Sequence, residues 1–274
     1  MKQVKKMAFI NSKGGCGKST GIFHFSGLLS KDGQKVLVID FDKQRNTTFT
    51  MLLNANQPDK TVYDVMLGRE PGEAVAKAMF KSRGNALPKY YGVDCMVSDE
   101  QLADEGKLRN IDGADFSRRL ESFVEERQYD WVLVDMPPSN LKLNEICFNG
   151  VVNNLVIPFS SDLFSIQGYE SMLKMIKSAK SENPKLKNLG VYLSRYMNGC
   201  GLDAYVREKM QEIYPESFID IQIPLATDVR EAVFFGRPLC YYKSEKSSKS
   251  LQAYMRLAEY IKDHVDGDVA ERTV

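Results

Sequence analysis

One octet, Lys13-Gly14-Gly15-Cys16-Gly17-Lys18-Ser19-Thr20, limits what this chain can become more than any other feature. The apolar run Met7-Ala8-Phe9-Ile10 precedes it, and a helix-patterned stretch from Gly17 to Ser30 follows. Gly14, Gly15 and Gly17 allow the backbone to curl tightly and bring N–H groups against an anion with no Cβ in the way. A strand that turns through such a loop into a helix also aims the positive end of the helix dipole at whatever the loop encloses. The expected occupant is a phosphate group. Lys18 supplies a point charge for it, and the Ser19 hydroxyl is placed to ligate Mg²⁺.

The rest of the chain repeats the strand-then-helix rhythm. Val36–Ile39, Trp131–Val134, Leu155–Ile157, Val191–Leu193 and Ile219–Ile221 read as further strands. Between them, helical spacing appears over about Phe116–Arg127 and Ser165–Ala179, and again over Leu251–Val265. Strands that are apolar throughout are buried on both faces, as in a parallel sheet. The expected architecture is a doubly wound, mostly parallel α/β sheet flanked by helices, in one domain over residues 1–274. Ligands in such folds bind at the carboxyl ends of the strands, which is where the octet falls. Gln57–Asp112 is less regular and reads as short helices and loops.

Composition narrows the function classes. Lys and Arg number 37 against 36 Asp and Glu, so binding to nucleic acid would need a local patch. The five cysteines are widely spaced with no CxxC, and there are only two histidines, His24 and His264. That pattern fits neither a disulfide framework nor a zinc ribbon. Met1–Lys6 is basic, but the apolar run after it is too short for a signal-peptide core. No run of 18 apolar residues occurs, so a membrane span is not expected. A reduced, cytoplasmic setting is the simplest reading.

A strict P-loop has glycine where this chain has Ser12, and it does not need the lysine at position 13. With Lys13 included, the octet resembles the deviant Walker A box of the ParA/MinD family of P-loop ATPases. Val36–Thr48, VLVIDFDKQRNTT, resembles that family's second box, and Asp130–Ser139, DWVLVDMPPS, resembles its Walker B strand. Thr61–Gly68, Pro158–Gly168, Leu193–Gly199 and Ile223–Tyr241 are similar to further family segments. The resemblance covers most of residues 7–264 and is weakest over Gly72–Asn110.

The resemblance implies the following roles. ATP and Mg²⁺ are the cofactors. Lys13, Gly14, Gly15, Cys16, Gly17, Lys18, Ser19 and Thr20 hold the nucleotide, with Arg195 and Pro224 near the adenine. Lys13 reaches across a homodimer interface to the partner's nucleotide. Ser19, Asp40 and Asp135 lie in the Mg²⁺ shell. Lys13, Lys18 and Asp42 are catalytic, with Asp42 orienting or polarising the attacking water.

Family branches differ in what they add. A membrane-binding branch ends in a basic amphipathic helix. Here Lys262–Val274 carries two positive residues against four negative, which an anionic surface would repel. An iron–sulfur carrier needs paired cysteines. Cys95 and Cys147 invite the comparison, but Cys147 lies twelve residues past Asp135 inside Leu143–Gly150, a helix-patterned stretch, and both read more simply as small core residues. Cys16 reads as an incidental small residue, with oxidation sensitivity as the alternative. A partition branch remains, and only twelve residues precede Lys13, too few for a helix-turn-helix. The implied partners are nonspecific double-stranded DNA and a ParB-like or other centromere-binding adaptor, with no membrane; the implied location is the nucleoid. The basic residues offered for DNA are Arg207, Lys209, Arg230, Arg237, Lys243, Lys246 and Lys249. Against this, the loop Asn198-Gly199-Cys200-Gly201 lacks the arginine many small partition ATPases carry there. A positioning ATPase with a protein cargo is the alternative.

Overall fold

The computed structural model describes residues 3–82, 87–161 and 165–265. The acidic tail beyond 265 and the centre of the Pro158–Gly168 loop lie outside them.

The strands are β1 (Lys5–Phe9), β2 (Val36–Asp40), β3 (Val75–Phe80), β4 (Lys89–Met96), β5 (Trp131–Asp135), β6 (Asn154–Phe159), β7 (Lys187–Tyr196) and β8 (Phe218–Pro224). They form one sheet in the order β3-β4-β2-β5-β1-β6-β7-β8. Every neighbouring pair is parallel except β3 and β4. The expected mostly parallel α/β sheet is therefore the one observed.

Alternation along the strands divides the core. On β1 and β2, Ala8, Leu37 and Ile39 enter one apolar layer, while Met7, Phe9, Val36 and Val38 enter the other. The helices Lys18–Lys31 and Lys249–Val265 cover the second layer, and Gly113–Glu126 and Ser165–Glu182 cover the first. Burial on both faces is what lets β2 and β5 be apolar up to their terminal aspartates.

The register aligns those aspartates. Phe9 pairs with Asp135, and Asp135 pairs with Asp40. The end of β1, where the glycine loop begins, is thus flanked directly by the carboxylate of β5.

The irregular reading of 57–112 needs correction. That segment contributes β3 and β4, and β4 extends the parallel sheet beside β2. Gly92 and Asp94 interrupt its apolar run, and Gly92 takes a left-handed φ of 89°. The stretch around Cys147 also differs from a single helix. Leu141–Ile146 is α-helical, and the chain then widens into a π-helical turn over Cys147–Val151.

Candidate active site

The glycine loop is tied down at several points. Asn11, just past β1, donates its side-chain amide to Pro158 O at 2.7 Å and accepts from Lys13 N at 2.9 Å. Gly15 and Gly17 adopt φ of 73° and 95°, and Gly17 begins the Lys18–Lys31 helix with no side-chain cap. A helix amino end without a capping side chain is suited to an anion.

Two consecutive residues at the carboxyl end of β7 hold the loop's carbonyls. Ser194 Oγ donates to Cys16 O, and Arg195 Nη1 donates to Gly15 O at 2.8 Å. Arg195 does so from a left-handed backbone with φ of 57°, a conformation that costs an L-residue about 1 kcal/mol or more. Lys18 is buried, and its ammonium donates to Lys13 O at 2.9 Å and Asn11 O at 3.3 Å. Lys13 is half-buried; its side chain runs past Gly168, where an added Cβ would lie 3.7 Å from Lys13 Cε.

Next to the loop is a cluster of oxygens. Ser19 Oγ and Thr47 Oγ1 each donate to Asp135 Oδ2 at 2.6 Å. The other carboxylate oxygen, Asp135 Oδ1, is buried with no partner among the described residues. Burial pushes the Asp135 carboxyl up, and the two hydroxyls and Lys18 hold that rise back. A buried oxygen left without a donor is costly unless something else meets it. Two hydroxyls and a carboxylate are hard oxygen ligands, the donor set suited to Mg²⁺.

Asp40 does not join this cluster. Its oxygens accept from Asp42 N at 3.0 Å and from Thr48 N and Thr48 Oγ1, both at 2.8 Å. Burial, then repulsion from Asp135, push its carboxyl up. Asp40 thus sits next to Asp135 without bonding to it and braces the loop after β2, while Thr47 is the hydroxyl that joins Ser19 on Asp135. Asp42 faces the cleft, only 8% exposed, with Oδ1 accepting from Gln44 N at 2.9 Å.

These residues open into a cleft of about 770 Å³. Gly14, Gly15, Gly17, Lys18, Ser19, Thr20 and Asp42 line it with Arg195 and Pro224. Ile223, Val229, Phe49 and Phe234 form apolar walls that no sequence signal announces. They come from segments distant in sequence and carry no local motif. Cys16 is buried beneath the loop; burial pushes its thiol up, so it lacks the exposed thiolate that oxidation requires.

The seven basic residues offered for DNA have different surroundings. Arg207 makes a two-pronged contact with Asp220 at 2.8 and 2.6 Å, and Lys209 pairs with Glu212 at 2.6 Å. Arg230 lines the nucleotide-sized cleft. Arg237 lies half-buried over the Phe235 ring, and Lys243 over Tyr242. Lys246 and Lys249 are exposed beside Lys243, just before and at the start of the last helix. Cys95 and Cys147 are buried in opposite core layers, which separates them as ligands of one cluster.

A glycine loop at the carboxyl edge of a parallel sheet, with a buried lysine and a neighbouring strand-end carboxylate, defines the P-loop nucleotide-hydrolase class. The family model described as an AAA domain matches residues 4–188, and the chain belongs to this family as a ParA/MinD-type P-loop ATPase. The chromosome partitioning protein ParA of Caulobacter vibrioides is 29% identical over 264 residues, covering 94% of each chain. Among solved structures, a Cyanothece McdA variant in complex with ATP matches with a TM-score of 0.75 at 20% identity, over 96% of this chain and 98% of that one. The septum site-determining protein MinD of Pyrococcus horikoshii, complexed with Mg-ADP, matches at 0.71 and 21% identity, over 98% and 100%. At such identities the two structures speak for the fold alone.

Proposed function

We propose that this chain, acting as one domain, is an Mg²⁺-dependent ATPase that pairs with a second copy when ATP is bound and binds duplex DNA without sequence preference in that state. The observation that carries the reading is the cluster of Ser19, Thr47 and Asp135, with its bare carboxylate oxygen, beside the buried ammonium of Lys18. Mg²⁺ held by those three residues would neutralise charge on the phosphate oxygens. Lys18 would exchange its two loop carbonyls for phosphate oxygens. Asp42, on the cleft wall, would orient the attacking water, and Lys13 would serve the nucleotide of the second copy. Hydrolysis, stimulated by a ParB-like or other centromere-binding adaptor, would separate the pair and release DNA. Such a cycle on the nucleoid would segregate a plasmid or chromosome.

A second reading is a positioning ATPase whose cargo is a protein. The pairing of Arg207 with Asp220 and Lys209 with Glu212 favours it, because those cations are already neutralised.

The test combines two measurements. Lys18→Ala should abolish ATP binding and hydrolysis. Wild-type chain should bind a long arbitrary duplex with ATP, not with ADP or without nucleotide, and more weakly at higher salt. Intact ATP binding in Lys18→Ala would sink the ATPase site as drawn. Failure to bind DNA in every nucleotide state would leave the ATPase and favour the protein-cargo reading.

A further inference from the structure

At the edge of the sheet opposite the ATPase cleft is a second cavity of about 580 Å³. It gathers residues just before β2 and β5 and the facing sides of β3 and β4. Its chemistry is unlike that of an ordinary surface dent. Asp94, in the middle of β4, is 7% exposed. Its Oδ2 accepts from Tyr129 OH at 2.6 Å, the Tyr90 hydroxyl lies beside the same carboxylate, and its Oδ1 is buried and makes no hydrogen bond of good geometry among the described residues. The antiparallel register puts Lys77 directly opposite Asp94, yet no ion pair forms between them. Lys77 Nζ lies instead over the Tyr90 ring, 5.1 Å from its centre. Lys35 lies likewise over Tyr129 at 5.0 Å, and the Arg127 guanidinium over Phe123 at 5.6 Å. Lys35 Nζ also donates to Arg127 O at 2.6 Å, which leaves two of its three N–H groups for a ligand.

The cavity therefore has an unmet acceptor in its floor and three cations at its rim, each resting on an aromatic face. Among the described residues none of these cations pairs with a carboxylate. Cations held over rings remain available to an anion, and arginine and lysine together suit phosphate. A buried carboxylate oxygen lacking a donor calls for an N–H. The floor is rigid, because β4 is hydrogen-bonded on both sides, to β3 and to β2. The volume falls within the usual range for small-ligand pockets, about 300–1,000 Å³.

We propose that this cavity is a second ligand site, for a nucleoside monophosphate or similar small molecule. Its phosphate meets Lys35, Lys77 and Arg127, and its base gives an amino N–H to Asp94 with its flat face against Tyr90. Nothing in this assignment depends on the cleft. Should Lys18→Ala retain ATP binding, the ATPase site would fall and this one would stand.

The experiment is calorimetric titration of the full chain carrying Lys18→Ala, so that the cleft does not take up the probes, using AMP, CMP, GMP and inorganic pyrophosphate. At least one nucleotide and pyrophosphate should bind one per chain. Lys77→Glu with Arg127→Glu, two exposed positions, should weaken both kinds of probe about tenfold or more. Asp94→Asn should weaken the nucleotide about tenfold while sparing pyrophosphate. No binding by any probe, binding indifferent to the charge reversals, or equal losses of both probes in Asp94→Asn would each overturn the proposal. A melting curve for Asp94→Asn identifies a variant that fails to fold, in which case the surface double variant decides.

Discussion

Arg195 shows how much of the site rests on single side chains from outside the motif. It spends backbone strain to reach Gly15 O, so the contact must be held by the surrounding structure. Arg195→Ala should weaken binding of a fluorescent ATP analogue about tenfold, roughly 1.4 kcal/mol, through loss of loop order. Arg195→Gly should bind as poorly yet be about 1 kcal/mol more stable to urea than the alanine variant, because glycine takes φ of 57° without penalty. Equal stabilities would show that the left-handed backbone carries no cost here. At this scale the octet was legible because glycines and lysines at fixed spacing leave few physical alternatives. Thr47 was not, since it stands beside Thr48 in the same box and only the turn after β2 decides which hydroxyl meets Asp135 and which meets Asp40.

Among the elements, β2 and β5 and the buried centres of β1 and β6 were readable because burial on both faces forces apolar residues in succession. β4 was not, because Asp94 faces the second cavity and Gly92 breaks the pattern. β7 carries a similar interruption. Gly190 has φ of 127°, and a Cβ there would come within 2.6 Å of Ser217 O and 2.8 Å of Ile219 Cγ1. This is next to the register shift between β6 and β7. Gly190→Ala should cost about 2 kcal/mol or more in urea unfolding, because both the conformation and the space are wrong for a side chain. A loss under about 0.5 kcal/mol would mean that the strand can reset its register.

For the whole molecule, the near balance of charge leaves any DNA contact to a local surface. Lys243, Lys246 and Lys249 are the remaining candidates close together in the chain. Replacing all three by glutamate should lower affinity for duplex DNA in the ATP state. The slope of log K against log salt should become shallower by about one for each phosphate that no longer meets a lysine. An unchanged slope would move the DNA surface elsewhere. The sheet's parallel class was visible in the sequence, but its strand order was not, because order depends on which edges meet across long separations. The pairing of Arg207 was hidden for the same reason: Arg207 and Asp220 are partners only once the helix after β7 packs beside β8.

The bonds from Ser194 and Arg195 to the glycine loop span 178 and 180 positions. A ribosome finishes the loop early and its anchors late. During synthesis the nascent chain carries all eight residues of the motif long before it owns the pieces that set their shape. The loop's two distant anchors are thus in place only once β7 has emerged and docked, and a chain that stops short of β7 keeps the eight residues of the motif without the bonds that hold two of its carbonyls.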